Sequence, residues 1–354
     1  MGPDRTLEEN ETKHQRRIRY KGTHPKNFKE KYKELQPEQY AEAVAKVIQK
    51  GITPAGMHLP ICVKEILELL QITPGQTGLD ATLGYGGHTL EMLKCLKSKG
   101  RLYAIDVDPL ELPRTQERLE RLGYDSEVLE IRQMNFSQID QIAAEAGLFH
   151  FVLADLGVSS MQIDNPDRGF SFRSEGPLDL RLNPEMGATA ANRLKKITLE
   201  ALQDMLIENA DEPHAGAIAR AIISSIKQGF KLSTTTQLRN IIKEALKSVP
   251  QISEDEIKKS CQRTFQALRI DVNHEFEVLD EFLEKLPNVL AKDGRVAILT
   301  FHSGEDRRVK KSFQHFFREG VYREIAPDPI RPSSEECHAN SRARSAKLRW
   351  AIKS

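Results

Sequence analysis

The sequence has few cysteines, a single tryptophan and no long apolar run. The cysteines are far apart and make no C-x-x-C pair, so neither a disulfide framework nor a metal site is expected. They are Cys62, Cys95, Cys261 and Cys337. No apolar stretch approaches the ~20 residues of a membrane-spanning helix, and the acidic start lacks the apolar segment of a signal peptide. These absences predict a cytoplasmic protein with reduced thiols, no membrane partner and no bound metal.

A strong net charge is also missing. The chain of 354 residues carries a net charge of +1, so any surface for nucleic acid must be local. Hydrophobic residues make up 39% and charged residues 29% of the chain, which is typical of a soluble globular protein. The length suits one large domain or two ordinary ones.

The most basic stretch lies near the N-terminus. Between Lys13 and Lys33 stand nine lysines or arginines and one acid, Glu30, with aromatic residues interleaved. Such a run suits contacts with phosphates, and it suits a solvated tail equally well. Residues 37–50 then show the helical spacing of apolar side chains. We therefore predict a basic N-terminal extension with one helix over residues 1–56.

From residue 57 onward, short apolar runs alternate with segments of helical periodicity. Predicted strands cover residues 78–82, 101–106, 127–132, 149–155, 294–301, 322–325 and 348–352. Predicted helices cover residues 62–70, 89–99, 110–122, 137–146, 264–290 and 305–317, and residues 188–260 are nearly all helical. The alternation predicts an α/β fold with a Rossmann-like, doubly wound sheet and an inserted helical domain. The last two strands are too close for a crossover helix, which predicts an antiparallel end strand.

A glycine-rich loop follows the first predicted strand. Asp80 is followed by Gly84, Gly86 and Gly87 in the spacing D-x-x-x-G-x-G-G, and a helix begins there. Glycine permits positive φ and close approach of a ligand, and a helix start offers free N–H groups. Asp106 ends the second strand, where a carboxylate can accept both ribose hydroxyls of a nucleoside. The spacing favours S-adenosylmethionine, with Asp80 attracting its α-amino group; the alternative is a glycine-rich turn of another α/β protein.

Five candidate side chains stand at the carboxyl ends of the predicted strands, where open α/β sheets bind ligands. They are Asp80, Asp106, Phe136, Asp155 and His302. Each has a structural alternative, because an acid at a strand end can cap a helix and Phe136 can belong to the core. Their convergence on one edge of the sheet favours a shared site.

The loop after the fourth predicted strand is long and rich in glycine, arginine and phenylalanine, which is typical of functional loops. Arg168, Arg173 and Arg181 can grip phosphates, and Phe170 and Phe172 can stack on a base. The alternative is a packed loop with internal salt bridges.

The motif F-H-S-G-E-D-R, Phe301–Arg307, stands at the end of the fifth predicted strand. Ser303 is predicted to cap the following helix, with Asp306 as its partner three residues later. His302 either touches a reacting base or belongs to this cap alone.

Seven longer motifs run through residues 58–354. They are G-x-D-A-T-L-G-Y-G-G-H, A-I-D-V-D-P, A-D-L-G-V-S-S-M-Q-I-D, R-G-F-S-F-R-S-E-G-P-L-D-L-R-L, R-T-F-Q-A-L-R-I-D-V-N, F-H-S-G-E-D-R and N-S-R-A-R-S-A-K-L-R. In sequence and order they resemble the ribosomal RNA small subunit methyltransferase H family, of the MraW type. The resemblance implies a class I methyltransferase fold. It also implies methyl transfer from S-adenosylmethionine to the exocyclic N4 of a cytidine in the decoding region of 16S ribosomal RNA.

The resemblance also implies roles for individual residues. The backbone of Gly86–His88 would hold the methionine end of the cofactor. Asp106 would bind the ribose, and Phe136 would lie beside the adenine. Asp155 and Gln162 would lie beside the methyl group.

The resemblance further implies a domain division. The methyltransferase domain would span residues 57–164 and 265–354, and a helical RNA-recognition domain would span residues 165–264. Ser303 and Arg307 join the predicted RNA contacts. The chain departs from the usual pattern of the family at Gly304, at Asp211–Pro213 and at Asn340–Ser341.

Asp155 is the main catalytic candidate, because it can accept the hydrogens of N4, and His302 is the weaker one. Two other functions compete. DNA amino-methyltransferases carry Asp/Asn-Pro-Pro-aromatic after the fourth strand, where this chain reads Asp155-Leu-Gly-Val. A ribosome-assembly factor that binds RNA without methylating it would keep the same pocket. The expected partner is small-subunit ribosomal RNA within an assembled or nearly assembled subunit, and the sequence does not decide between a monomer and a homodimer.

Overall fold

The computed structural model describes residues 60–354, so the predicted basic run and N-terminal helix lie outside the described residues. Seven strands are present there: β1 (Thr77–Asp80), β2 (Arg101–Asp106), β3 (Leu129–Gln133), β4 (Phe149–Asp155), β5 (Leu290–Thr300), β6 (Tyr322–Ile325) and β7 (Lys347–Lys353). They form one sheet in the order β3-β2-β1-β4-β5-β7-β6. Strands β1 to β5 are parallel, whereas β7 is antiparallel to both of its neighbours.

Helices connect the strands. They are α1 (Val63–Leu70), α2 (Gly87–Leu96), α3 (Leu112–Arg121), α4 (Ile139–Ala146), α5 (Ser160–Asp164), α6 (Ala190–Leu194), α7 (Leu199–Ala210), α8 (Ala215–Lys227), α9 (Thr235–Lys247), α10 (Glu254–Asn273), α11 (Glu275–Val289), α12 (Ser303–Arg318) and α13 (Ser334–Ala339). This order confirms the predicted Rossmann-like, doubly wound sheet with its antiparallel end and its helical interruption after β4. Among the described helices, none is both long and apolar enough to cross a lipid bilayer.

The middle of the sheet is buried on both faces. Along β4, Val152 faces one apolar core and Phe151 and Leu153 face the other, because successive side chains of a strand alternate in direction. Such strands read as continuous apolar runs, which is why β4 is visible in the sequence. Burial of both faces leaves the carboxyl ends of the strands as the place for a ligand.

The helices between β4 and β5 have an apolar core of their own. Leu202, Ile218, Leu238 and Leu268 are fully buried in it, together with residues of the loop that follows β4. The predicted domain boundary at residue 265 falls inside α10, which continues to Asn273. One long helix therefore belongs both to this core and to the connection toward the sheet.

The prediction of a single helix over residues 264–290 is wrong. His274 has a φ of 51°, in the left-handed region, and it separates α10 from α11. The break lets Arg269 of α10 form an ion pair with Glu275 of α11, with 2.7 Å between Nε and Oε1. Because the break occurs without glycine or proline, the helical pattern contains no sign of it.

Candidate active site

A cavity of about 750 Å³ opens at the carboxyl ends of β1, β2, β4 and β5. The end of α10, the start of α11 and the segment from Asn340 to Ser345 also border it. Predicted site residues on its wall are Gly84, Gly87, His88, Asp106, Phe136, Asp155, Gln162, Phe170, Phe172, Arg173 and His302. The site therefore combines strand ends that the sequence suggested with a C-terminal segment that it did not.

The glycine loop bends through two left-handed residues. Gly84 has a φ of 48° and Gly86, which precedes α2, has a φ of 65°. An added Cβ at Gly87 would lie 2.6 Å from Cγ of Pro60, so a larger residue there would force the two segments apart. The loop thus keeps the N-terminus of α2 open toward the cavity, as a cofactor-binding loop requires.

Asp80 is buried and does not border the cavity, and its contact with the cofactor stays a prediction. Its side chain is 1% exposed, and its carboxylate accepts hydrogen bonds from Thr89 Oγ1 at 2.6 Å and from the backbone of Thr82 at 3.1 Å. Burial raises the pKa of Asp80 despite these bonds. Asp80 links the end of β1 to the first turn of α2 and supports the glycine loop on the side away from the cavity.

Asp106 borders the cavity with its carboxylate already oriented. Its Oδ2 accepts from the backbone of Gly84 at 2.8 Å, and its Oδ1 accepts from the backbone of Asp108 at 2.9 Å. Each oxygen keeps a lone pair for a further donor. Burial raises the pKa of Asp106 to about 6.

Asp108, which the sequence motifs do not assign to the site, borders the cavity as a buried carboxylate. It is fully buried, and its Oδ2 accepts hydrogen bonds from Gln162 Nε2 and from Arg168 Nη1, both at 2.7 Å. Gln162 also completes a capping box with Ser159 at the start of α5. The second acid of the A-I-D-V-D-P motif was the available signal. Asp108 thereby ties the end of β2 to the loop after β4.

Arg168 is buried and paired within the protein, and its phosphate contact stays a prediction. Its side chain is 5% exposed and pairs with Asp108, and it also donates to the carbonyl oxygens of Arg181 and Leu182. Arg181 donates twice to Asp179, at 2.7 and 2.8 Å, and does not border the cavity. Arg168 and Arg181 therefore stabilise the loop after β4 through hydrogen bonds to residues of that loop. Of the three predicted arginines, Arg173 alone is exposed on the cavity wall.

The aromatic candidates lie on two sides of the cavity. Phe136 packs edge to face on Phe282, with ring centroids 5.1 Å apart. Phe170 belongs to the core of the helical part, and Phe172 packs against Phe265 with centroids 5.7 Å apart. Phe170 and Phe172 also border the cavity, and stacking on a base stays a prediction for both.

Asp155, at the end of β4, faces His88 of α2. The distance from Asp155 Oδ2 to His88 Nε2 is 3.6 Å, and the backbone N–H of Asp155 donates to Thr82 Oγ1 at 2.6 Å. His88 Nε2 and Asp155 Oδ1 are buried, and neither has a hydrogen-bond partner among residues 60–354. Buried polar atoms of this kind are costly unless a ligand engages them.

His302, rather than Ser303, caps α12, so the predicted cap is wrong by one residue. The backbone N–H of Glu305 donates to His302 Nδ1, and Glu305 Oε2 accepts from the backbone of Phe301 at 2.8 Å. His302 Nε2 lies 3.1 Å from Glu305 Oε1. Asp306, the predicted cap partner, instead pairs with Arg349 at 2.6 Å.

This cap sets the orientation of the His302 ring. With Nδ1 facing the backbone N–H of Glu305 and Nε2 facing Glu305 Oε1, both ring nitrogens are turned toward groups at the start of α12. The role of His302 as a proton acceptor stays a prediction. His302, Glu305 and Glu275 offer ligand-type atoms within 4.8 Å of one another, but Arg269 already binds both oxygens of Glu275. The group is held together by these internal contacts.

Two predicted RNA contacts lie outside the cavity wall. The hydroxyl of Ser303 donates to Asp211 Oδ2 at 3.2 Å, and Arg307 lies 3.6 Å from the same oxygen. Next to them, an added Cβ at Gly304 would lie 2.5 Å from Cζ of Phe276. The departure at Gly304 is therefore matched by the ring of Phe276, which occupies the space of a larger side chain.

The sheet order, the glycine loop and the acids at the strand ends define a class I methyltransferase, whose methyl donor is S-adenosylmethionine. Within that class, the chain belongs to the MraW methylase family, whose model matches residues 55–354. It is 76% identical over 348 residues to "Ribosomal RNA small subunit methyltransferase H 2" of Alkaliphilus metalliredigens, covering 98% of this chain and 100% of that one. It is 67% identical over 347 residues to "Ribosomal RNA small subunit methyltransferase H 1" of Lachnoclostridium phytofermentans, covering 98% and 95%. These matches take in most of the N-terminal extension, which the family model omits.

Proposed function

We propose that this protein transfers a methyl group from S-adenosylmethionine to the exocyclic N4 of a cytidine in the decoding region of 16S ribosomal RNA. The observation that carries the proposal is the Asp155 carboxylate at the end of β4. It borders the same cavity as the glycine loop and Asp106, and one of its buried oxygens has no partner within the described part of the chain. A nucleoside cofactor and a cytosine amino group would meet at this carboxylate.

The cavity suits the cofactor in size and in donor set. Its volume of about 750 Å³ lies within the ~300–1,000 Å³ typical of small-molecule sites. Gly86–His88 would hold the methionine end at the start of α2, and Asp106 would accept the ribose hydroxyls. Phe136 would flank the adenine, and Gln162 would keep the loop after β4 in place. When bound, S-adenosylmethionine supplies an electrophilic methyl group, activated by its positively charged sulfur.

The chemistry required of the protein is mainly positioning. The N4 lone pair of cytosine is delocalised into the ring, so the amino group must be held close and correctly oriented, an effect that can contribute ~7–11 kcal/mol. The Asp155 carboxylate would accept an N4–H, which directs the nitrogen toward the methyl group, and would then take the proton. His88, 3.6 Å from Asp155, would fix the direction of that carboxylate.

The RNA would approach over the helical part that follows β4. The target base must leave its stack to enter the cavity, and Phe170 or Phe172 would receive it. Arg173 on the cavity wall, with Ser303 and Arg307 at the start of α12, would contact the surrounding RNA. We propose that residues 165–264 recognise the RNA and that the substrate is an assembled or nearly assembled small subunit in the cytoplasm. A homodimer is not needed for this site, because one chain supplies every residue named here.

The test is methyl transfer from labelled S-adenosylmethionine to small subunits from a strain that lacks this activity, followed by nucleoside analysis. We expect N4-methylated cytidine with the wild type. Asp155→Asn keeps the shape but cannot take a proton, and we expect it to slow transfer about 10²–10⁴-fold while S-adenosylhomocysteine still binds. Normal turnover in this variant would remove Asp155 from the mechanism. Cofactor binding without any transfer would favour an RNA-binding assembly factor.

A further inference from the structure

Carboxylate side chains outnumber arginines on the cavity wall. Seven carboxylate side chains border it, against three arginines: Arg173, Arg269 and Arg342. Arg269 is bound by both oxygens of Glu275 and is neutralised there. A nucleotide entering this cavity brings phosphates on both sides, and the arginines that border the cavity without two bonds to one carboxylate are Arg173 and Arg342.

Arg342 is held in place by its own segment. It lies in a 3₁₀ turn, Ser341–Ser345, where its backbone N–H donates to Asn340 Oδ1 at 3.1 Å. Its Nη2 pairs with Asp164 Oδ1 at 2.9 Å, at the end of α5, and the side chain remains 33% exposed. Its Nη1 is buried and has no hydrogen-bond partner in the part of the chain that the structure describes. The guanidinium is thus pre-oriented and only partly paired.

We propose that Arg342, together with Arg173, binds a phosphodiester group of the RNA next to the target nucleotide. A guanidinium presents its donors in a planar fork that matches phosphate oxygens, and a pre-oriented one loses little entropy on binding. Arg173 forms no ion pair within residues 60–354 and offers a second positive charge at the border of the same cavity. The proposal rests on the proposed function and assigns a role to the C-terminal motif N-S-R-A-R-S-A-K-L-R, which the methyl-transfer site leaves unused.

Two other roles for Arg342 make different predictions. If Arg342 only pins α5 through Asp164, then Asp164→Asn, which removes the same ion pair, lowers subunit binding at least as much as Arg342→Gln does. If the anion is instead the carboxylate of the cofactor, Arg342→Gln weakens the binding of S-adenosylhomocysteine. If Arg342 binds a phosphate, loss of its charge weakens subunit binding, whereas loss of the Asp164 carboxylate alone does not.

The experiment measures the affinity of protein saturated with S-adenosylhomocysteine for unmethylated small subunits over a series of salt concentrations. It compares the wild type with Arg342→Gln, Asp164→Asn and Arg344→Gln. Arg344 is exposed in the same turn but does not border the cavity, so it is the matched control for loss of one charge. Calorimetry with S-adenosylhomocysteine is run on each variant.

We expect Arg342→Gln to weaken subunit binding at low salt and to reduce the slope of log K against log salt by about one. Asp164→Asn should keep the wild-type slope, and Arg344→Gln should change it less than Arg342→Gln does. Equal losses in Arg342→Gln and Asp164→Asn, or a loss confined to cofactor affinity, would overturn the proposal. These binding measurements need no turnover. A failure of the phosphate-site proposal would appear in them, whereas a failure of the proposed function would appear in the methyl-transfer assay.

Discussion

Opposing effects act on the pKa of the Asp106 carboxylate. Burial at the end of β2 raises its pKa to about 6, whereas the backbone N–H groups of Asp108 and Gly84 favour the charged form. The neighbouring carboxylates of Asp108 and Asp80 add to the rise. A raised pKa means that ionising this group costs folding free energy as the pH rises through about 6. Acid therefore does not destabilise the protein through Asp106, but it does change what Asp106 can bind.

We expect the affinity for S-adenosylhomocysteine to fall as the pH drops through about 6. A carboxylate accepts the ribose hydroxyls better than a protonated carboxyl group does, so the dissociation constant should rise by up to about tenfold per pH unit below that point. Asp106→Asn should bind more weakly at high pH and lose most of this dependence. Calorimetry between about pH 5 and pH 8 measures both curves. Parallel curves for the two proteins would mean that another group titrates.

The sequence predicted the local features of the site but not the different surroundings of its arginines. Its motifs pointed to Gly84, Asp106 and Asp155, because special backbone angles and acids at strand ends are local features. Arg168 and Arg173 were indistinguishable, although one is buried on Asp108 and the other is exposed. Asp108 lies 60 residues before Arg168, and only the folded chain brings the two together.

At the scale of elements, the residues at the start of α12 both cap the helix and hold the buried carboxylate of Glu305. His302 caps the helix, and Glu305 completes a box with the backbone of Phe301. The desolvation of Glu305 raises its pKa, but His302 and Arg269 outweigh that effect, so the pKa lies below its ordinary value. The stability that Glu305 contributes is therefore present at neutral pH and is lost as the pH falls through this lowered pKa.

We expect His302→Asn to keep both stability and methyl transfer near the wild-type level, because asparagine is a good N-cap. His302→Ala should lower the free energy of unfolding by about 1 kcal/mol, since the N–H of Glu305 loses its acceptor. Urea unfolding and the methyl-transfer assay measure the two effects. Were His302 the proton acceptor, both variants would lose transfer to the same extent, and asparagine would not rescue it.

The elements themselves were largely predictable, and their ends were not. Buried strands such as β4 and β5 stand out because parallel strands need apolar side chains on both faces. The break at His274 was missed because helical periodicity continues on either side of it. What stops the helix is a left-handed residue whose cost is offset by contacts such as the pair of Arg269 with Glu275. Such contacts join residues whose proximity appears only after the turn has formed.

At the scale of the whole molecule, the active site lies where separately packed parts meet. The sheet supplies the glycine loop and the acids, and the helical part with its own core supplies Phe170 and Phe172. The segment Asn340–Ser345 closes a further side. Loop–sheet contacts such as Asp108 with Arg168 join these parts at the cavity. The geometry of the site therefore depends on the whole fold rather than on one motif.

The distribution of charge along the chain leads to a last prediction. The whole chain carries +1, yet residues 13–33 alone contain nine basic residues and one acid, so the remainder is net negative. A polyanionic subunit would then be attracted mainly by local cations, of which the N-terminal run is the densest. We expect deletion of residues 1–35 to weaken subunit binding and to lower its salt dependence by ~0.7–0.9 for each phosphate that the run neutralises. Affinity for S-adenosylhomocysteine should not change.

A matched control separates charge from length in this deletion. Replacing the nine lysines and arginines of residues 13–33 by glutamine keeps the chain length and removes the cations. If the run contacts phosphates, the substituted and the shortened proteins should show the same reduced slope, because counterion release depends on charge alone. If the run is a solvated tail, both should match the wild type. A loss in the shortened protein alone would assign the effect to residues 1–12 or 34–35, which flank the basic run, and the electrostatic role would be rejected.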